Sequence, residues 1–339
     1  MSEVSLQQHN SAYRNARLEP ADTPATACAT QGRVRPDLVK IGFMGSMYAG
    51  VFVALSQYTS TEHLDAILVF FASSGLTLLG GHSLGMHRLF IHRAWRAPRW
   101  LANTLLYLGA LVGLGGPTTL LTTHDLRDWA QRQSSCHDYF AHRRPLLVDF
   151  FWQIFCTIEL RQPPTLVLEN DYKDWHFATW LDRTAFAQHA LVGLMLFLCG
   201  GLPWLVWGLC TRVAVGVTGH WLIGYFAHNA PGHGRKRCGA DRLHVKGACT
   251  QGYNVPLVSL LCFGENWHNN HHAWPGSAKL GVHKGEWDPG WWVLLGLARL
   301  GLATHLVTPE QIPHRPELLD SGDHRTLKAP QTRFETVKV

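Results

Sequence analysis

Five long stretches of the chain contain no Asp, Glu, Lys or Arg, and four of them come in two pairs. These four cover residues 41–61, 66–86, 184–211 and 213–234. Each is close to the ~20 residues that an α-helix needs to cross the hydrocarbon core of a bilayer. The pattern predicts an all-α integral membrane protein with two helical hairpins. We place its four transmembrane helices at about 41–61, 66–86, 184–206 and 209–230.

The remaining segments predict one membrane domain with a polar tail at each end. Residues 1–38 are polar, contain several prolines and include no apolar core of a signal peptide, so we expect a disordered cytosolic tail. Residues 39–310 form the membrane domain, and residues 311–339 form a polar C-terminal tail. The uncharged stretch 100–123 is interrupted by the sequence GLGGP, which favours an interfacial or partly buried helix over a fifth span.

Basic residues flank the same ends of the predicted spans and give an orientation. Arg33, Arg35 and Lys40 precede the first span, and the acidic turn of Glu62 and Asp65 follows it. Further basic residues follow the second and fourth spans: Arg88, Arg93, Arg96, Arg99, Arg235, Lys236, Arg237, Arg242 and Lys246. By the positive-inside rule, both termini and the loop 87–183 face the cytoplasm. A bacterial inner membrane and the endoplasmic reticulum both fit this arrangement.

Composition narrows the class of protein. Charged residues are 16% of the 339 and the net charge is only +6, which excludes a disordered chain or one that coats nucleic acid. The chain contains 21 His and 14 Trp, and neutral imidazole is the commonest metal ligand. The eight cysteines include no C-x-x-C pair, so a disulfide framework is not expected. These features indicate a metal-rich site near a bilayer.

The histidines cluster at the predicted cytoplasmic boundary. His87 and His92 lie just beyond the second span, five positions apart and about 140° apart on an α-helix, so the helix must unwind or end there for both to reach one metal. His268, His271 and His272 have helical i, i+3 and i+4 spacing and could serve two neighbouring metals. His228 ends the fourth span.

A further cluster lies between the hairpins and contains His124, Cys136, His137 and His142. Its charged residues also fit a solvated, ion-paired helix. We expect His137 to bind metal, and we keep His124, His142 and Cys136 as possible ligands.

In their order along the chain these motifs resemble the membrane fatty-acid desaturases of the acyl-CoA (stearoyl-CoA-like) type. The matching sequences are HRLFIH after the first hairpin, the Arg/Trp/His box, the AH motif after the second hairpin, and ENWHNNHHAWPGSA. The match extends from about residue 40 to 310. The resemblance implies four membrane helices beneath a cytosolic helical cap that holds a histidine-rich dimetal site. It also implies a dinuclear iron(II) centre, O2 as co-substrate and a long fatty acyl chain, carried by CoA or by a lipid, as the substrate for double-bond formation.

Residue by residue, the resemblance assigns seven metal ligands: His87, His92, His137, His228, His268, His271 and His272. The sequence departs from the family in the Arg/Trp/His box, the second of the family's histidine boxes. When Arg127, Trp129 and Ala130 are aligned with that box, Gln133 and Cys136 stand in place of two family histidines. Gly224 stands where the family usually has an asparagine. Asp125, Asp128 and Glu265 are expected to hydrogen-bond the far nitrogens of ligating imidazoles. Candidates for docking the substrate or an electron donor are Arg88, Arg93, Arg96, Arg143 and Arg144.

No cytochrome b5, ferredoxin or flavin module is visible in the sequence, so we expect electrons from a separate partner, such as cytochrome b5 or ferredoxin with its reductase. Membrane lipid is the other expected partner. Two alternatives stay open. The same histidine framework suits a lipid-chain hydroxylase or another oxygenase. A non-enzymatic membrane haem or metal protein would use His189, His220 and His228.

Overall fold

The computed structural model describes residues 17–19, 29–229 and 243–320, and it is mainly helical. The α-helices are α1 (Leu38–Gln57), α2 (Leu64–Gly75), α3 (Arg99–Ala110), α4 (Pro117–Arg132), α5 (Asp138–Ala141), α6 (Leu146–Phe155), α7 (Asn170–Lys173), α8 (His176–Leu205), α9 (Arg212–His228), α10 (Ser259–Cys262), α11 (His268–Ala273) and α12 (Pro289–Arg299). π-Helical segments cover Leu76–Ile91 and Val206–Thr211, and short 3₁₀ turns cover Thr61–His63 and Pro309–Gln311.

Three helical stretches are long and apolar enough to cross a membrane: Leu38–Gln57, Thr61–Ile91 and His176–His228. Their outward side chains are apolar, as a lipid-facing surface requires. Phe52 is 74% exposed, Phe71 64% and Leu198 74%. Large exposed apolar surfaces are rare on proteins that face water on all sides. The structure and the composition therefore agree on a membrane protein.

The third stretch, His176–His228, folds back on itself. Gly200 and Gly201 leave the helical conformation, and Gly201 has φ 66° and ψ −159°, a conformation that only glycine adopts readily. Beyond this break Leu209 packs on Gly193, and Leu196 packs on Gly208. Residues 16 apart in a straight helix would be about 24 Å apart. The segment is therefore a helical hairpin, and its turn lies a few residues before the connection at 206–209 between the third and fourth predicted spans.

The uncharged stretch 100–123 forms parts of α3 and α4, separated by a turn in which Gly113 and Gly115 have positive φ. Helix α3 lies against the π-helical segment, where Gly85 brings the two backbones together: a Cβ there would be 2.8 Å from the carbonyl oxygen of Leu105. This packing fixes the segment that carries the first histidine pair.

The start of the described chain is structured, which corrects the expectation of a disordered tail over that part. Strand β2 (Gly32–Pro36) pairs antiparallel with β3 (Cys156–Leu160), and β1 (Leu18–Glu19) pairs with β4 (Thr165–Leu166). Arg17 is buried and its guanidinium donates to Asp125 at 2.9 Å. These partners lie more than 100 positions away along the chain, so local composition gives no sign of them.

The start of the predicted C-terminal tail is also structured. Strand β6 (Leu318–Asp320) pairs with β5 (Leu243–Val245). The guanidinium of Arg315 is buried and donates to the carbonyls of His272 and Ala273 at 3.0 and 2.9 Å. Residues 321–339, the end of the fourth predicted span at 230, and the basic residues from Arg235 to Arg242 lie outside the described residues.

Candidate metal centre

His87 and His92 converge although they are five positions apart. The amide of His92 donates to the carbonyl of His87 at 3.0 Å, at the end of the π-helical segment Leu76–Ile91. Hydrogen bonds from i to i+5 wind a helix more loosely than the i to i+4 bonds of an α-helix. Residues five apart therefore approach a common face, and the Nε2 atoms of the two rings are 3.2 Å apart. The local unwinding that the spacing requires is this π-helix.

Helix α11 divides its three histidines between two clusters. The Nε2 atoms of His268 and His272, one turn apart, are separated by 3.0 Å. The ring of His271 points the other way, with its centroid 4.6 Å from that of His87 and 4.8 Å from that of His92. The prediction that these three residues serve two neighbouring sites therefore agrees with the geometry.

The histidines form two compact groups. Within each group, the potential ligand atoms all lie within 4.8 Å of one another. The four-histidine group consists of His87, His92, His124 and His271. The three-histidine group consists of His228, His268 and His272. His87 and His228 lie near the ends of the two long apolar stretches, so both groups are at one end of the helical bundle.

The spacing within each group suits a metal ion. Imidazole nitrogens bind metals such as zinc at about 2.0–2.1 Å, so neighbouring ligands around one ion are separated by roughly 3 Å. The Nε2 atoms of His228 and His268 are 3.0 Å apart, and those of His87 and His92 are 3.2 Å apart. Several rings thus direct Nε2 at a common point. The residues fit a metal site.

Three of these rings have a polar partner at the far nitrogen. Nδ1 of His87 is 2.6 Å from Glu265, and Nδ1 of His124 is 3.3 Å from Asp125. Nδ1 of His228 is 3.1 Å from the carbonyl oxygen of Gln251. Metal-binding histidines usually donate this second N–H to a carboxylate or a backbone carbonyl. Asp125 and Glu265 therefore contact rings of the four-histidine group.

Asp128 is the exception among the three carboxylates. It is buried, 6% exposed, on α4 one turn after His124. Its hydrogen bond comes from Arg132 Nη2, at 3.4 Å, rather than from a histidine ring. It therefore does not orient a ligand in the way we predicted.

The second box differs from the prediction: His124 joins the four-histidine group and His137 joins neither group. Nδ1 of His137 caps α5 by accepting the amide of Tyr139 at 3.1 Å, and its ring lies beside Trp152. Cys136 is also outside both groups, with its Sγ 2.9 Å from that of Cys249. The cause is helical geometry, because α4 ends at Arg132 and the chain then turns away from the site.

His142 lies beside the three-histidine group but is engaged elsewhere. Its Nδ1 is 2.8 Å from Asp149 and its Nε2 is 3.2 Å from Arg127 Nη1, while its ring stacks on His228 at 5.7 Å. Since Arg127 can only donate, Nε2 of His142 is an acceptor that is already used. The space next to Gly224 is filled by this pair, with His142 Nε2 3.4 Å from a Cβ at that position.

The predicted docking arginines divide into buried and exposed. Arg88 is 1% exposed and binds Asp288 at 2.9 Å and the carbonyl of Ala278 at 2.8 Å, so it is a structural residue and the docking prediction is wrong for it. Arg93 lies over the ring of Tyr172. The exposed members of the set are Arg96, Arg143 and Arg144.

Electrostatics favours neutral rings at the site. Burial, followed by the neighbouring histidines, holds the pKa of His92 and His272 well below the ordinary value. Burial is also the main cause that lowers the pKa of His268 to about 4. At His124 burial is outweighed by the hydrogen bond to Asp125 and the charge of Asp128, so its pKa is raised. Neutral imidazoles present the lone pair that a metal needs.

The histidines that a haem protein would use do not converge. His189 lies between the carbonyl oxygens of Ala185 and Leu111 at 2.8 and 3.1 Å. His220 contacts His82, with ring centroids 4.8 Å apart, and neither belongs to a histidine group. The arrangement among the described residues thus gives no support to the haem alternative.

Sequence reasoning underestimated His124 and missed His82, whose ring stacks on that of His87 at 6.2 Å. One signal was available for His124. It stands four positions before Asp128 on a helix that Pro117 begins, so an imidazole and a carboxylate share one face. The role of the Gln251 carbonyl had no signal in the sequence.

Comparison with known proteins identifies the class to which this fold and site belong. The family model of fatty acid desaturases matches residues 66–283. The chain belongs to the fatty acid desaturase family. It is an oxidoreductase of lipid metabolism that acts on fatty acyl chains in a membrane setting.

Curated relatives cover most of the chain. The acyl-CoA C20 Delta5-desaturase of Anemone leveillei is 26% identical over 328 residues, which span 93% of this chain and 97% of that protein. The sn-2 palmitoyl-lipid 9-desaturase of Nostoc is 28% identical over 283 residues, 79% of this chain and 91% of that protein. The sn-1 stearoyl-lipid 9-desaturase of Synechocystis is 26% identical over 305 residues, 85% and 86% of the two chains.

Proposed function

We propose that the protein is an O2-dependent fatty acyl desaturase that introduces a double bond into a long acyl chain with two iron ions. The observation that carries this proposal is the pair of adjacent histidine groups, one of four rings and one of three, built from elements far apart in sequence. Iron, when bound there, supplies the O2 activation that removal of hydrogen from an unactivated methylene requires. Imidazole is a suitable ligand for iron.

The protein's own residues position and isolate this chemistry. Glu265 and Asp125 hold the far nitrogens of His87 and His124 and thereby fix which nitrogen faces the metal. Arg88 joins the end of the π-helical segment to Asp288, next to α12. Because most of the rings are buried, the site excludes bulk water, which protects a reactive oxidant from side reactions.

The proposed topology has four membrane crossings with both termini in the cytoplasm. The hairpin at Gly200 and Gly201 supports it, since it divides His176–His228 into two arms. The histidine groups lie at the ends of those arms and of Thr61–Ile91, near the basic residues Arg93, Arg96 and Arg99. Such basic flanks favour the cytoplasmic side. The membrane is either a bacterial inner membrane or the endoplasmic reticulum.

The acyl carrier and the electron donor complete the proposal. The relatives named above include both acyl-CoA and acyl-lipid desaturases, and either carrier fits this site. Electrons come from a separate donor such as cytochrome b5 or ferredoxin with its reductase. The exposed Arg96, Arg143 and Arg144 are the candidates for contacts with anionic groups on either partner.

The test is product analysis in membranes of a host that makes only saturated fatty acids. We expect expression of the protein to yield monounsaturated chains, and His271→Ala to abolish them while membrane insertion is kept. His137→Asn is the matched control, because His137 lies outside both groups and Asn retains the capping acceptor for α5. Hydroxylated chains in place of unsaturated ones would assign the protein to the hydroxylases, and an active His271→Ala variant would contradict the ligand assignment.

A further inference from the structure

The three carboxylates near the histidine groups are not equivalent. Glu265 accepts hydrogen bonds from Ser83 at 2.6 Å and Arg88 at 3.3 Å in addition to its contact with His87. Asp125 accepts from Arg17 at 2.9 Å and contacts His124. Each oxygen of these two carboxylates therefore has at least one polar partner. Asp128 has only its hydrogen bond from Arg132, at 3.4 Å, among the described residues.

Asp128 lies on α4, the helix that carries His124 of the four-histidine group. It stands one helical turn after His124, so the two side chains share a face of α4. Its negative charge contributes to the raised pKa of His124 and opposes the lowering of the pKa at His271 and His268. His124 and His271 belong to the four-histidine group, and His268 belongs to the three-histidine group. Asp128 therefore interacts electrostatically with members of both groups.

Arg127, the other polar residue one turn after His124, is directed elsewhere. Arg127, three positions after His124, donates to Gln153 at 2.6 Å and to His142 at 3.2 Å. It carries a positive charge and has no lone pair to offer a metal. Of the two residues that follow His124 by one turn, Asp128 alone offers an acceptor toward the groups.

Charge balance gives a separate reason for an anion here. Two iron(II) ions held only by neutral imidazoles would place an uncompensated positive charge in a buried site, which costs several kcal/mol per ion. The buried Asp128 carboxylate accepts one hydrogen bond among the described residues, from Arg132 at 3.4 Å, so most of its acceptor positions are unused. As a ligand it would compensate part of the positive charge of the metal ions.

We propose that Asp128 is a metal ligand, and that one of its carboxylate oxygens coordinates the metal centre between the two histidine groups. The centre is then a mixed histidine and carboxylate site, and Asp128 completes the shell that the three rings of the smaller group leave open. This inference rests on the proposed function, since it requires metal ions at the histidine groups.

The experiment compares Asp128→Asn with the wild-type protein after loading both with ⁵⁷Fe in detergent. We expect iron per chain, measured by elemental analysis, to fall from about two to about one. We also expect Mössbauer spectroscopy to show a changed quadrupole doublet for the iron that remains. Release of iron to a chelator should accelerate by more than the roughly 10- to 100-fold that loss of a ring-orienting partner causes.

Three further variants make the result specific. Asp171→Asn, at a carboxylate 74% exposed, is the neutral control. Asp125→Asn removes a ring-orienting carboxylate and should retain both irons with nearly unchanged doublets. Asp128→His restores a ligand of another type and should recover the second iron. Near-ultraviolet circular dichroism of each metal-free protein separates loss of metal from loss of fold.

Two outcomes distinguish the failure of this inference from the failure of the proposed function. If the wild-type protein binds two irons and Asp128→Asn binds them with the same spectrum and release rate, Asp128 is only an ion-pair partner of Arg132. If the wild-type protein itself binds no iron after loading, the proposed di-iron centre fails first, and with it any role for Asp128 as a ligand.

Discussion

The four-histidine group and the three-histidine group share helix α11 but differ in how their rings are held. In the larger group, carboxylates contact the far nitrogens of His87 and His124. In the smaller group His228 has a backbone carbonyl in that place, and Arg127 and His142 fill the neighbouring space at Gly224. A carboxylate partner makes a ligating imidazole more basic. The comparison teaches that two sites built from one histidine motif can have unequal affinity for the same metal.

The largest expected effect is a difference in metal release between the groups. We expect a mild chelator to remove about one iron per chain quickly and the second at least roughly 10-fold more slowly, because the smaller group has only three rings and His228 has a backbone carbonyl, not a carboxylate, at its far nitrogen. Stopped-flow absorbance with a coloured chelator measures both phases. Arg127→His, which adds an imidazole on α4, should slow the fast phase. A single phase in the wild-type protein would mean that the groups are equivalent.

A smaller effect is expected on the stability of the metal-free protein as pH changes. The folded protein holds the pKa of His268 at about 4, below the ~6.5 of an unfolded chain. The unfolded state therefore binds more protons between these values, and stability is lost as pH falls from about 6.5 toward 4. The slope is about 1.4 kcal/mol per pH unit for each such ring.

The raised pKa of His124 has the opposite effect on the pH dependence of stability from the lowered pKa of His268. The two residues belong to different histidine groups. Its contribution is present below pH 6.5 and is lost as pH rises through the folded-state value. Thermal unfolding midpoints at pH 7, 6 and 5 test both signs. His268→Gln should flatten the profile and His124→Gln should steepen it. Identical profiles in all three proteins would contradict the assigned environments.

The smallest expected effect is that of Cys136→Ser. Cys136 contacts Cys249 and lies outside both histidine groups, so we expect iron per chain and both release phases to stay within error of the wild-type protein. Elemental analysis and the chelator assay measure this. Loss of one iron in this variant would indicate that Cys136 is a metal ligand and would contradict its placement outside both histidine groups.

The sequence predicted the parts of the site that depend on local spacing. His268, His271 and His272 follow helical periodicity, so their division between two clusters follows from the spacing alone. The five-residue spacing of His87 and His92 predicted a local unwinding of the helix, and the structure has a π-helix there. Hydropathy likewise located the apolar stretches, although the helical break at Gly200 and Gly201 lies a few residues before the predicted connection at 206–209.

The sequence did not predict features that depend on distant packing. His137 was preferred to His124 because a motif alignment placed it there, whereas the end of α4 at Arg132 decides which side chain reaches the site. The sequence predicted Arg88 as one of the basic residues that follow the second span, but its side chain is buried and pairs with Asp288. Strand β2 was missed because its partner, β3, lies more than 100 positions further along the chain.

Helix α11 has only six residues and carries ring nitrogens to both groups. An ion that captures His271 therefore also fixes the backbone from which His268 and His272 extend. The first metal to arrive prearranges the pocket for the second, so filling of the two positions is coupled by one rigid turn of backbone. The three-histidine group should consequently bind iron more tightly in a molecule whose four-histidine group is already filled than in one where that group is empty.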